Sequence, residues 1–232
     1  MSDGSRLVKR FIPARLKRAV RESLRERSFR RAVRRVAGLS AGRTPTREML
    51  VELQEGWGNE GFAARTDYLE EVAARAVETE GPVLECGSGL TSVLLGLLAG
   101  PRGVETWSLE HLPEWRERVA RALEDNGIAG VRVCHAPLKD YGEFSWYDPP
   151  PELAAAGFRL VVCDGPPGTT PGGRYGLLPV FGRRLAEGAL ILLDDADRGG
   201  EADVLERWAG EAELEVKVRH TPTGAFAVAR LG

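Results

Sequence analysis

At 232 residues, 43% of them hydrophobic, the chain has room for one full-sized α/β domain plus a modest extension, and its longest apolar run, Val93 to Ala99, is far short of the roughly 20 residues a membrane span requires. The formal net charge of −2 hides an asymmetry: residues 1–35 carry thirteen Arg/Lys and three acids, a net +10, which leaves −12 for the remainder. Three cysteines, Cys86, Cys134 and Cys163, are an odd number without C-x-x-C spacing, and Arg and Lys interrupt any signal-peptide core at the N-terminus. Together these features predict a cytoplasmic protein with buried, reduced thiols.

From Arg6 to Val36 the apolar residues Leu7, Phe11, Leu16, Val20, Leu24, Phe29, Val33 and Val36 recur at roughly helical spacing among basic ones. The pattern predicts one or two basic amphipathic helices, interrupted near Pro13. Residues 6–35 could meet a membrane surface or nucleic acid, or could pack as a dimerising extension of a homodimer. Gly38 to Pro45 reads as a linker, so the expected division is an extension over 1–45 and one domain over 46–232. Gly56-Trp57-Gly58-Asn59-Glu60-Gly61-Phe62 follows, either a flap over a ligand or a loop packing Trp57 on a sheet. A helix is expected over Thr66 to Val77, with Thr66 as its N-cap.

Val83-Leu84-Glu85-Cys86 then forms a short apolar strand behind the Gly81-Pro82 breaker, turns through Gly87-Ser88-Gly89, and enters an apolar helix. Such a turn lets a ligand approach bare backbone at the positive end of a helix dipole. Strands are predicted at Thr106–Glu110, Val131–His135, Phe158–Asp164 and Ala189–Asp194. Helices are predicted at Pro113–Asn126, Leu177–Ala186 and Glu201–Ala209. The alternation implies a parallel sheet covered on both faces. Leu214–Arg219 and Ala225–Leu231, five residues apart, close the chain as an antiparallel pair.

Acids fall at the strand ends: Glu85, Glu110, Asp164 and the pair Asp194-Asp195. Ligands of open α/β sheets bind beyond the carboxyl ends of strands, so these side chains point to one crevice. Glu110, twenty-one residues past Gly89, lies where a carboxylate can accept from both ribose hydroxyls of a nucleoside. Its other reading is an exposed strand-end acid beside His111. Glu85 would cap the turn or complement a positive ligand group.

Glu85-x-Gly87-x-Gly89-x-Thr91, Glu110, Asp164-Gly165-Pro166-Pro167-Gly168, the fifth strand ending in Asp194-Asp195, and the closing hairpin together resemble the class I S-adenosylmethionine-dependent methyltransferases, over about residues 56–232. The resemblance implies a Rossmann-like seven-stranded sheet in the order 3-2-1-4-5-7-6, the last-numbered strand antiparallel. It implies that Gly87 and Gly89 admit S-adenosyl-L-methionine, that Glu110 binds its ribose, and that His135 and Ala136 lie near its adenine. His135 stands where the family often has an acid. Asp164, Asp194 and Asp195 resemble the acids that hold Mg²⁺ in small-molecule O-methyltransferases, which could lower the pKa of a bound hydroxyl. Asp164 could instead contact the substrate or the cofactor's methionine end. No lysine follows Asp164 to act as base, which leaves His111, His135 or His220, or the metal alone. Arg174 is a candidate for orienting an anionic or hydroxylated substrate. The expected activity is methylation of a small-molecule hydroxyl, such as that of a sugar or secondary metabolite. The rivals are a nicotinamide-dependent oxidoreductase, whose fingerprint would want glycine where Ser92 stands, and a catalytically silent nucleotide-fold protein docking through its basic arm.

Overall fold

The computed structural model describes residues 14–58, 64–151, 153 and 157–232. Leu7, Phe11, the expected break near Pro13 and the segment Asn59 to Phe62 lie outside the described residues.

Val83 to Cys86 (β1) is buried along its whole length, as an apolar run inside a parallel sheet must be. Beside it run Thr106–Glu110 (β2) and Val131–His135 (β3) on one side, and Phe158–Cys163 (β6) and Leu185–Leu193 (β7) on the other. Leu214–Thr221 (β8) and Gly224–Leu231 (β9) close the sheet, β9 inserting antiparallel between β7 and β8. The seven-stranded order is β3-β2-β1-β6-β7-β9-β8. This is the expected order once the separate two-stranded hairpin Leu138–Asp140 (β4) and Ser145–Tyr147 (β5) is set aside.

Helices cover both faces. Ala14–Ala37 (α1), Arg47–Trp57 (α2), Thr66–Glu78 (α3), Leu90–Leu98 (α4) and Pro113–Asp125 (α5) share one apolar cluster with Val83, Val162 and Leu192. Leu177–Phe181 (α6), Gly199–Glu211 (α7) and the β4–β5 hairpin cover the other face, where Trp146, Phe158, Phe181 and Trp208 are fully buried against Leu84, Val161 and Ile191. Cys86, Cys134 and Cys163 are buried, as their apolar settings require.

Several elements differ from their sequence-based bounds. α2 was not expected, although Met49, Leu50, Leu53 and Trp57 line one helical face and are buried. The N-cap of α3 is Arg65, and Thr66 instead donates its hydroxyl to Gln54 Oε1 at 2.8 Å. The helix expected over Leu177–Ala186 stops at Phe181, and β7 already begins at Leu185. The terminal hairpin turns on two residues, Pro222 and Thr223, rather than five.

The basic N-terminal region divides in two. In its second half Phe29, Ala32, Val33 and Val36 enter the core, and α2 lies so close that a Cβ on Gly56 would meet the Phe29 Cα at 2.7 Å. In its first half every residue from 15 to 27 is exposed, including Leu16, Val20 and Leu24.

Candidate functional site

The parallel strands all end at one edge of the sheet, and the turn after β1 sits in its middle. Gly87 adopts φ +92°, and a Cβ there would strike the Gly165 backbone at 2.8 Å, so only glycine fits. The Asp164 and Gly165 amides both donate to Cys86 O, at 3.0 and 2.7 Å, which ties the loop after β6 to the turn after β1. Gly89 differs: its backbone is extended and a Cβ would meet nothing within 4 Å. Its outer face is open to a ligand. Ser92, in the first turn of α4, accepts from the Gly89 amide at 3.0 Å and so fixes the helix start.

Glu110 is 3% exposed and points at this turn. Its Oε2 accepts from Ser88 N at 3.2 Å and Ser88 Oγ at 2.9 Å, and its Oε1 accepts from Leu112 N at 2.9 Å. His111 Nδ1 lies 3.1 Å from Oε1, within ion-pair reach. Burial pushes Glu110 toward protonation, but the His111 ring, the Leu112 amide and Ser88 outweigh it and hold the pKa below the ordinary carboxylate value. Ser88 O in turn accepts the Trp115 indole N–H at 2.7 Å, and Arg118 lies over both Trp115 and Trp57. Ser88 and Trp115 were not singled out from the sequence; a hydroxyl inside a glycine turn was the available signal.

Glu85 is not at the crevice. It is the third residue of β1, wholly buried beneath α4, and its Oε2 accepts from Ser92 Oγ at 2.5 Å and from Ser108 Oγ, while Oε1 has no hydrogen-bond partner among the described residues. Burial pushes its pKa up to about 7 against those hydroxyls.

The loops after β6 and β7 bring Asp164, Asp194 and Asp195 together, one carboxylate oxygen of each within 4.8 Å of the others. Burial first, then the neighbouring Asp194, raises Asp164, although a quarter of its side chain remains exposed; burial and Asp195 push Asp194 up to about 6. Asp195 holds a left-handed φ of +57°, uncommon for a non-glycine residue and characteristic of functional loops.

Arg174, the candidate for orienting a substrate, is closed off from solvent. Its side chain is 2% exposed and threads between these loops. It donates to Asp194 O at 2.5 Å, Asp164 O at 2.6 Å, Asp195 Oδ2 at 3.1 Å and Asp164 Oδ1 at 3.3 Å, and lies 3.6 Å from Glu201 Oε1. It is an internal counter-ion. Arg198, at 2.9 Å, and Arg65, at 3.8 Å, also reach Asp195.

The structure does not bring His135 to the aspartates. It is exposed at the end of β3, opposite Glu110, with Nε2 3.3 Å from His111 O. Three strand spacings separate β3 from β6, about 14 Å. Ala136 is buried and donates its amide to Glu110 O at 2.8 Å. Tyr147, from the β4–β5 hairpin, is fully buried, and its hydroxyl has no hydrogen-bond partner among the described residues; a Cβ on Gly165 would lie 2.5 Å from it. A cleft of about 220 Å³ lined by Arg75, Arg159 and Arg230 lies at the opposite edge, where β1 and β6 begin, away from all these groups.

No family model matches the chain, and no curated protein matches it. Solved structures do. A methyltransferase from Podospora anserina, bound to S-adenosylhomocysteine, superimposes with a TM-score of 0.57 at 15% identity, covering 95% of this chain and 98% of its own. A methyltransferase from Geobacter sulfurreducens gives 0.56 at 16%, covering 81% and 92%. An O-methyltransferase from Bacillus cereus, also in complex with S-adenosylhomocysteine, gives 0.54 at 12%, again covering 81% and 92%.

Proposed function

We propose that this chain, whose fold is that of the class I S-adenosylmethionine-dependent methyltransferases, transfers a methyl group to a hydroxyl of a small molecule such as a sugar or secondary metabolite. The observation that carries the reading is the assembly at the middle of the strand-end edge. There Gly89 leaves open the space a Cβ would take, and the Glu110 carboxylate stands against Ser88 of the same turn. Neither the absence of a third glycine at position 92 nor the β8–β9 hairpin suits a nicotinamide dinucleotide.

S-adenosylmethionine, when bound, supplies an electrophilic methyl group on a sulfonium. The open face of Gly89 would admit it to the backbone, Gly87 would hold the turn in shape through its contact with Gly165, and Glu110 would accept from its ribose diol in place of Ser88 Oγ. Ala136, buried and tied by its amide to Glu110 O, would lie on the adenine side. Asp164 and Asp194, at adjacent strand ends, would hold the acceptor's hydroxyl, with Asp194, raised only to about 6, the one able to take its proton, while most of the rate derives from holding the reactants aligned.

Calorimetric titration with S-adenosylhomocysteine tests the cofactor reading. Glu110→Ala should weaken binding about tenfold to a hundredfold. Gly89→Val should abolish it while leaving thermal stability near wild type, because its side chain enters open space and any residue adopts an extended backbone there. Binding of NAD alone, or unchanged affinity in both variants, would sink the assignment.

A second reading adds Mg²⁺ at Asp164, Asp194 and Asp195, and the close oxygen donors favour it. Arg174 already neutralises Asp164 and Asp195, so a cation would share them with a guanidinium. Transfer that survives EDTA is the expected outcome if the guanidinium serves alone; activity restored only by added Mg²⁺ establishes the metal.

A further inference from the structure

We propose that residues Ala14–Arg27 form a docking helix for anionic lipid bilayers and hold the crevice at the membrane surface. The inference stands on the N-terminal helix and not on the chemistry proposed above.

The second half of α1 fixes the helix to the domain through Phe29, Ala32, Val33 and Val36. Leu16, Val20 and Leu24, spaced four apart, form a second apolar stripe, each residue about half exposed. Val20 precedes Phe29 by nine residues, so at about 100° per residue the two stripes lie on opposite faces. The outer stripe therefore faces away from the protein and finds no partner among the described residues. Arg27, Arg31 and Arg34 continue the same outward face, all exposed.

An apolar tip followed by a row of guanidiniums matches an interfacial helix, with aliphatic side chains among the acyl chains and cations at the headgroups. Ala14–Arg27 holds six basic residues and two acids, one of which, Glu22, is paired with Arg18 at 2.9 Å. This charge complements an anionic surface and opposes self-association through the stripe, which would bring two such cationic tips together. Nucleic acid would meet the arginines but leave Leu16, Val20 and Leu24 in water. The acidic remainder of the chain is repelled by the same surface, so only this helix is drawn in.

The geometry points the crevice toward the bilayer. α1 runs antiparallel to α2, and Arg25 packs where a Cβ on Gly58 would stand, at 2.5 Å. Trp57 meets Trp115 with ring centroids 6.2 Å apart, and Trp115 holds Ser88. The helix thus passes the crevice edge at Arg25, and its apolar tip projects beyond.

Co-sedimentation of the full chain with vesicles tests this. Phosphatidylglycerol-containing vesicles should retain it and pure phosphatidylcholine vesicles should not, with retention lost as salt rises. Leu16→Ser/Val20→Ser/Leu24→Ser should weaken retention about a hundredfold. Arg27→Gln/Arg31→Gln/Arg34→Gln should weaken it about as much and flatten the salt dependence. All six positions are exposed, and unchanged S-adenosylhomocysteine affinity or an unchanged thermal midpoint shows that the variants fold. The proposal is overturned if wild type ignores anionic vesicles, or if the triple serine variant binds within twofold of wild type. It is equally overturned if the stripe instead mediates a dimer seen by light scattering without vesicle binding, or if RNA binds in place of lipid.

Discussion

Replacing Arg174 by methionine is expected to cost about 3–5 kcal/mol of folding stability, the range for removing one partner of a buried ion pair. Against a total of roughly 5–15 kcal/mol for a domain, that is a large share. The loss has two parts. Two backbone carbonyls, Asp164 O and Asp194 O, lose donors in a buried setting, and Asp164, Asp195 and Glu201 lose the guanidinium between them. Asp195 keeps Arg198, but Glu201, 3% exposed, keeps no ion pair among the described residues. Urea unfolding followed by fluorescence measures the cost, and Arg174→Met combined with Glu201→Gln should recover part of it, because the second change removes an abandoned charge. Arg174→Lys should fall between, since a single ammonium cannot reproduce the fork that reaches both loops. A cost below about 1 kcal/mol for Arg174→Met would mean that the loops do not depend on this residue.

Glu85→Gln is expected to change the pH dependence of stability. The folded protein raises Glu85 to about 7 from an ordinary 4.5, so folding favours its protonated form. The stability associated with that proton is fully present below pH 4.5 and is lost as pH rises through 7, amounting to about 3 kcal/mol over the span. Glutamine is neutral throughout and still offers Ser92 and Ser108 an acceptor oxygen. The difference between variant and wild type should therefore grow in the variant's favour from pH 4.5 to 8. Denaturant curves across that range decide it: a difference that stays constant with pH would show that Glu85 titrates normally.

These two side chains mark where sequence reasoning reached its limit. Both were visible as charges near a ligand-binding edge, and both turn inward. Glu85 was placed at the end of β1, but one position of the pleat decides which face a strand residue meets, and Glu85 meets α4. Arg174 follows a glycine- and proline-rich loop whose path no periodicity records. The sheet order, the glycine turn and the gathering of Glu110, Asp164, Asp194 and Asp195 at one edge were legible, because buried parallel strands are continuous apolar runs and their ends are marked by glycine and acid. α2 carried a readable apolar face that the flanking glycines and Trp57 obscured, whereas β4 and β5, three residues each, are too short to leave a pattern. His135 enters the site only through the resemblance; the expected order 3-2-1-4 already sets the end of β3 three strands from Asp164, and the structure keeps that separation.

The contact of Gly87 with Gly165 bears on how such a crevice could diversify. Its floor is two main chains touching, with no side chain between them that a substitution could enlarge, shrink or recharge. Variation at this edge is therefore left to the side chains around the floor, among them Asp164, Asp194 and Asp195 on the loops after β6 and β7. Change can accumulate there, one side chain at a time, over an unchanging base.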